Sequence, residues 1–71
     1  MSPRNINRIR VVLAEQNKTN KWLAEKIGVS ETTVSRWVNN TQQPKVEIFV
    51  QIADLMKVDI RDLFESTLSK K

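Results

Sequence analysis

The chain has a single glycine, Gly28, and it falls inside the run Trp22-Leu23-Ala24-Glu25-Lys26-Ile27-Gly28-Val29-Ser30-Glu31-Thr32-Thr33-Val34-Ser35-Arg36-Trp37. This placement constrains the fold more than any other feature. Two short helical patterns must meet across one sharp turn, at a position where the backbone needs the positive φ that a Cβ resists. Val29 then folds inward. Ser30 is placed to cap the following helix by accepting one of its orphan N–H groups, and Glu31 complements the positive end of that helix. Before the turn Leu23, Ala24 and Ile27 share a helical face, and after it Val34, Trp37 and Val38 do the same, so both helices can close on one small core. The small side chain of Ala24 lets them cross closely.

At about 100° per residue, the positions of the second pattern farthest from Val34 and Trp37 are Thr32, Arg36 and Asn39, flanked by Thr33 and Ser35. None is a large apolar residue. An ordinary solvated helix face is the bland reading. Against it, this face has only Arg36 as a charge and is otherwise rich in hydroxyls and amides, groups suited to base edges and phosphate oxygens. Placed after a tight turn, the helix has the layout of a DNA-reading element.

A length of 71 residues predicts one small domain, able to bury roughly 60% of its unfolded surface. The periodic Leu, Ile, Val, Ala, Lys and Glu, with only two prolines, point to an all-α chain. With no cysteine and no histidine, disulfides, zinc sites, thiol nucleophiles and imidazole bases are all excluded. No metal site and no cofactor is expected, nor any small-molecule ligand. Ser35 beside Lys26 or Lys45 is the nearest approach to a nucleophile pair, but nothing fixes it in a cleft, so the chain reads as non-enzymatic. Charge interrupts every apolar stretch, which argues against a membrane span or a signal peptide and for a cytoplasmic protein.

The net charge of +4 is unevenly spread. Residues 1–45 hold eight basic against three acidic residues, and residues 46–71 hold four against five. The basic part contains the paired helices and would be steered toward a polyanion.

Along the chain, Pro3 and Asn5 precede a first helix expected over about 6–16, with Ile6, Ile9, Val12 and Leu13 inward and Arg8 and Arg10 outward. Asn17-Lys18-Thr19 breaks it. Helices follow over about 20–27 and 31–39, then a polar loop to Pro44 in which Asn40 can adopt the left-handed conformation. A fourth helix over about 46–56 shows Val46, Phe49, Val50, Ala53 and Met56 at helical spacing. Asp59 caps a fifth, whose Ile60, Leu63 and Phe64 pack back, leaving an ordered core of about 5–65 and a polar tail from Ser66 to Lys71.

Leu23-Ala24, Gly28-Val29-Ser30, Val34-Ser35-Arg36-Trp37, the Asn39-to-Pro44 loop, Ile52-Ala53 and Val58-Asp59 with Leu63 together resemble the lambda-repressor-like helix-turn-helix family, the Cro/C1 or XRE type. The resemblance covers nearly the whole chain. It implies a five-helix domain, usually homodimeric, whose third helix enters the major groove of double-stranded DNA. The base-reading positions it implies are Glu31, Thr32 and Arg36, with Ser35 and Asn39 adjacent. Arg36 can take guanine bidentately, its alternatives being an ion pair with Glu31 or a phosphate contact. Glu31 either accepts from cytosine or complements the helix dipole. Phosphate contacts implied are Asn20, Lys21, Thr33, Asn40, Thr41, Gln42, Gln43 and Lys45. Because many are neutral amides, a shallow salt dependence is expected.

Three positions depart from the family pattern. Asn40 replaces a common glycine, Lys45 a small capping hydroxyl, and Leu13 a frequent arginine. Trp22 points away from Leu23 and Ile27, either to lie over the first helix or to meet a partner or the DNA backbone, whereas Trp37 belongs to the core. Ile48 and Leu55, off the main stripe of the fourth helix, either form a homodimer contact or add core. The reading is therefore a dimeric transcriptional regulator, a repressor by economy of surface. The alternative is an antitoxin or protein-interaction module of the same fold, whose main partner is a protein.

Overall fold

The computed structural model describes residues 5–66. The tail expected from Ser66 onward lies outside the described residues except for Ser66 itself. Four α-helices, α1 (Ile9–Glu15), α2 (Asn20–Ile27), α3 (Glu31–Val38) and α4 (Val46–Met56), are followed by one 3-10 turn (Ile60–Leu63). The all-α architecture is as expected. Two elements are shorter than their sequence pattern.

The first is α1, which begins at Ile9 rather than at residue 6. The segment before it is recruited by residues far along the chain: Asn7 forms an isolated antiparallel bridge with Phe64, Arg8 N donates to Leu63 O at 2.8 Å, and Glu65 N donates to Ile6 O at 2.8 Å. An extended backbone making those bonds cannot also be helical, and Ile6, expected inward, is 48% exposed. The second is the expected fifth helix, which amounts to the single 3-10 turn. Asp59 does cap it, accepting from Arg61 N at 2.8 Å, but Phe64 leaves the turn to pair with Asn7 and to tilt its ring against Phe49, with centroids 4.5 Å apart. The Arg61 guanidinium also grips the Asp59 carboxylate, at 3.1 Å from Nε, and holds that carboxyl below its ordinary range.

All four α-helices stop in the same way. The left-handed residue is the first past the end in α2 and α4, Gly28 (φ 90°) and Lys57 (φ 58°), and the second past it in α1 and α3, Asn17 (φ 58°) and Asn40 (φ 61°). The next N–H reaches back to satisfy a carbonyl of the last turn: Lys18 N to Leu13 O, Val29 N to Ala24 O, Thr41 N to Arg36 O and Val58 N to Ala53 O, all between 2.9 and 3.1 Å. Helix starts are more varied. Thr19 Oγ1 accepts from Trp22 N at 3.0 Å to begin α2, whereas Lys45 supplies α4 with no side-chain cap.

The core gathers one stripe from every helix: Ile9, Val12 and Leu13 of α1, Leu23 and Ala24 of α2, Val34, Trp37 and Val38 of α3, and Phe49, Ile52, Ala53 and Met56 of α4, closed by Leu63. Leu23, Val34, Ile52 and Leu63 are fully enclosed. Each such side chain contributes roughly 1.5–3 kcal/mol relative to exposure. Leu13 is 4% exposed, so a hydrophobe replaces the family's frequent arginine by adding core. Gln16 Nε2 donates to Met56 O at 2.7 Å and ties the end of α1 to the end of α4. Among the described residues, no helix is long and apolar enough to cross a membrane.

Candidate nucleic-acid interface

With Val34, Trp37 and Val38 locked into the core, rotation of α3 is fixed and its opposite side faces solvent. Glu31, Thr32, Arg36 and Asn39 are exposed there, and Ser35 is half-buried beside them. Ser30 caps the helix as its position predicts. Its Oγ accepts from Thr33 N at 3.1 Å and shares a hydrogen bond with Thr33 Oγ1 at 2.9 Å. The Thr33 hydroxyl, grouped with the phosphate contacts on sequence grounds, is therefore part of the cap. Arg36 makes no ion pair with Glu31 and no other side-chain bond among the described residues, where Asp59–Arg61 is the ion pair found. Its guanidinium is available to an outside acceptor.

The expected phosphate contacts divide into two groups. Lys21, Thr41, Gln42 and Lys45 are exposed and Asn20 is half-buried at the first position of α2. Thr41 already donates its hydroxyl to Arg36 O at 3.2 Å. Asn40 and Gln43 instead turn inward. Asn40 Oδ1 accepts from Ile6 N at 2.8 Å, from Asn7 N at 2.9 Å and from Gln43 Nε2 at 3.2 Å, while its Nδ2 donates to Asn7 O at 3.2 Å. Asn7 answers by donating to Trp37 O at 2.9 Å and to Gln43 Oε1 at 2.7 Å, and its Oδ1 accepts from Ile9 N at 3.0 Å. Asn7 and Asn40 are both buried, and among the described residues no buried side-chain polar atom lacks a partner. This network explains how Asn40 replaces glycine: it tolerates the left-handed backbone and uses its amide to bind the segment ahead of α1. That amide is committed to the fold and does not reach outward.

Two contacts near the face carry no signal in the sequence. Arg10, on the outer side of α1, donates through Nη2 to Asn39 Oδ1 at the end of α3. Lys18 places its ammonium 4.8 Å from the centre of the Trp22 ring, and Trp22 itself packs partly buried against the core. Ile48 and Leu55 are likewise half-buried against the core, whereas the exposed hydrophobes of α4 are Val46 and Val50. Among the described residues no group of side chains is arranged to hold a metal ion.

The arrangement is a short helix with fixed rotation, an outward polar side and a tightly turned partner helix at its start. The helix-turn-helix family model HTH_3 matches residues 3–63. The chain belongs to this helix-turn-helix family, of the Cro/C1 type. The helix-turn-helix domain is also similar to a solved structure from Bacteroides fragilis described as that of a candidate DNA-binding protein, at 50% identity and a TM-score of 0.84. That similarity spans 87% of this chain and 100% of the other. No curated protein matches the chain.

Proposed function

We propose that the helix-turn-helix domain binds double-stranded DNA in a sequence-specific manner and acts as a small transcriptional regulator, a repressor that occludes its site. The observation that carries this reading is the outward polar side of α3, with an unpaired Arg36 at its centre. In the bound state α3 lies in the major groove. Arg36 donates to guanine O6 and N7, Thr32 and Ser35 supply hydroxyls to neighbouring base edges, and Glu31 selects a cytosine amine. Lys21 at the start of α2 and Lys45 after α3, with Asn20 and Gln42, hold the phosphates on either side and set the register.

One such face reads only a few base pairs, so the reading includes a homodimer on half-sites about 34 Å apart. The contact proposed lies on α4, where Ile48 and Leu55 are half-buried along one flank of the core stripe and Val46 and Val50, 73% and 46% exposed, lie along the other. The same exposed valines also suit a protein partner, as in an antitoxin, and a stoichiometric protein that co-purifies with the native chain would favour that alternative.

Selection of bound duplexes from a random pool, repeated with Arg36→Ala, tests the proposal. The native protein should enrich a palindrome. The variant should keep its fold and lose discrimination at one base in each half, by roughly 1–3 kcal/mol. Absence of enrichment at low salt overturns the proposal.

A further inference from the structure

We infer that Arg10 is a positioning residue for DNA recognition, acting through Asn39; the inference rests on the reading of α3 as the recognition helix. Asn39 follows the last residue of α3, one turn after Arg36, and is exposed on the same side. An asparagine amide at such a place can present either its oxygen or its nitrogen, and as a free rotor it presents neither reliably. A guanidinium has donors and no acceptor, so the bond from Arg10 Nη2 can be made only to the amide oxygen. That bond fixes the amide. Asn39 Nδ2 has no partner among the described residues, and with Oδ1 occupied it is held as an outward donor beside Arg36.

The surroundings suit that role. A cleft of about 170 Å³ opens between the start of α1 and the end of α3, bordered by Arg10 and Asn39 together with Asn5, Arg8 and Glu65. It leaves room for an acceptor to approach the amide. Glu65 in the lining makes the cleft a poor general anion site, and Arg8 is already occupied, donating to Asp62 O at 3.1 Å. The acceptor is therefore expected to come from the α3 side, where a duplex would lie, and the geometry points to a phosphate oxygen or base acceptor at the edge of the bound half-site. Arg10 thereby couples α1 to the recognition surface, although it lies 29 positions from the residue it orients.

The test is a double-mutant cycle on duplex affinity, with the native full chain, Arg10→Ala, Asn39→Ala, the double variant and Asn39→Asp, each also followed by thermal unfolding. Arg36→Ala serves as the reference for the recognition face. If Arg10 acts by orienting Asn39, either alanine variant weakens binding by about three- to tenfold, the order of one net hydrogen bond, and the double variant is no worse than either alone. Asn39→Asp keeps an acceptor for Arg10 but lacks the outward N–H, so it should melt no lower than the native protein and still bind weakly. The slope of affinity against salt should be unchanged by Asn39→Ala and by Arg10→Ala. Multiplicative losses, with the slope falling by about 0.9 on Arg10→Ala, would show Arg10 neutralising a phosphate by itself and would overturn the inference. So would native affinity in Arg10→Ala. A chain in which Arg36→Ala impairs binding and Arg10→Ala does not sinks this inference alone, whereas a native protein that binds no duplex sinks the proposed function with it.

Discussion

The two ends of α3 are built by different means. At the N-terminal end the cap is local: Ser30 and Thr33, three residues apart, satisfy each other, and Glu31 and Thr32 remain exposed. At the C-terminal end almost every polar group is engaged by a distant segment. Asn39 is held by Arg10, Asn40 by the backbone of Ile6 and Asn7, and Trp37 O by Asn7 Nδ2. The difference shows how a helix of eight residues can be both rigid and available. One end leaves side chains free to meet a partner, and the other fixes the helix to the rest of the molecule through buried amides whose bonds gain strength from the low local dielectric.

Three substitutions would break or sharpen the contrast. The largest effect is expected for Asn40→Gly, which keeps the left-handed backbone but removes the amide, leaving the N–H groups of Ile6 and Asn7 without their acceptor. Chemical denaturation should show a loss of about 2–4 kcal/mol with the slope preserved. A cost below about 0.5 kcal/mol would mean that the tied end is no more demanding than an ordinary surface. Next is Ser30→Ala, which removes a local cap and should cost about 1 kcal/mol without disturbing the distant network, so hydrogen-exchange protection should fall in the first turn of α3 and persist at Asn7. The smallest effect, and of opposite sign, is expected for Lys57→Gly. Lys57 has nearly the φ of Asn40, 58° against 61°, yet its side chain is exposed and makes no hydrogen bond among the described residues. Relief of the left-handed strain should raise stability by up to about 1 kcal/mol, readable as a higher melting temperature. A loss at Lys57 comparable to that at Asn40 would show that any substitution at a helix stop is harmful, and the amides would lose their special status.

The same contrast separates what was legible in the sequence from what was not. The bounds expected for α2 and α4, 20–27 and 46–56, coincide with the observed helices, because each carries a strong apolar period and, for α2, a glycine stop. Ser30 and Asp59 were readable as caps, since capping acts over two or three residues. Gly28 and Asn40 advertised left-handed stops by residue type. Asn17, of the same type as Asn40, was read only as part of a helix break, and Lys57 gives no hint that the chain would accept strain there.

What the sequence concealed is non-local. The early end of helical order before Ile9 depends on Asn40, 33 positions after Asn7, and no local period records that pairing. The loss of a fifth full helix follows from the same strap, since Phe64 pairs with Asn7 instead of extending the turn. On the recognition surface, the outward set of Thr32, Arg36 and Asn39 followed from helical rotation alone, and Glu31 from the family resemblance. Asn40 and Gln43, chosen because the family resemblance places phosphate contacts in the loop after α3, are amides that the fold uses internally, and Arg10 entered the surface through packing of α1 against α3. Polarity in a loop shows that hydrogen bonds are needed but not which way they point.

The pairing of Ile6 with Glu65 and of Arg8 with Leu63 has a mechanical consequence. Because the two segments run antiparallel and depart on the same side, tension applied to both flanks of the domain would load these bonds one after another rather than together. The domain should peel open from this seam at low force, freeing the end of α3 before the helices themselves separate.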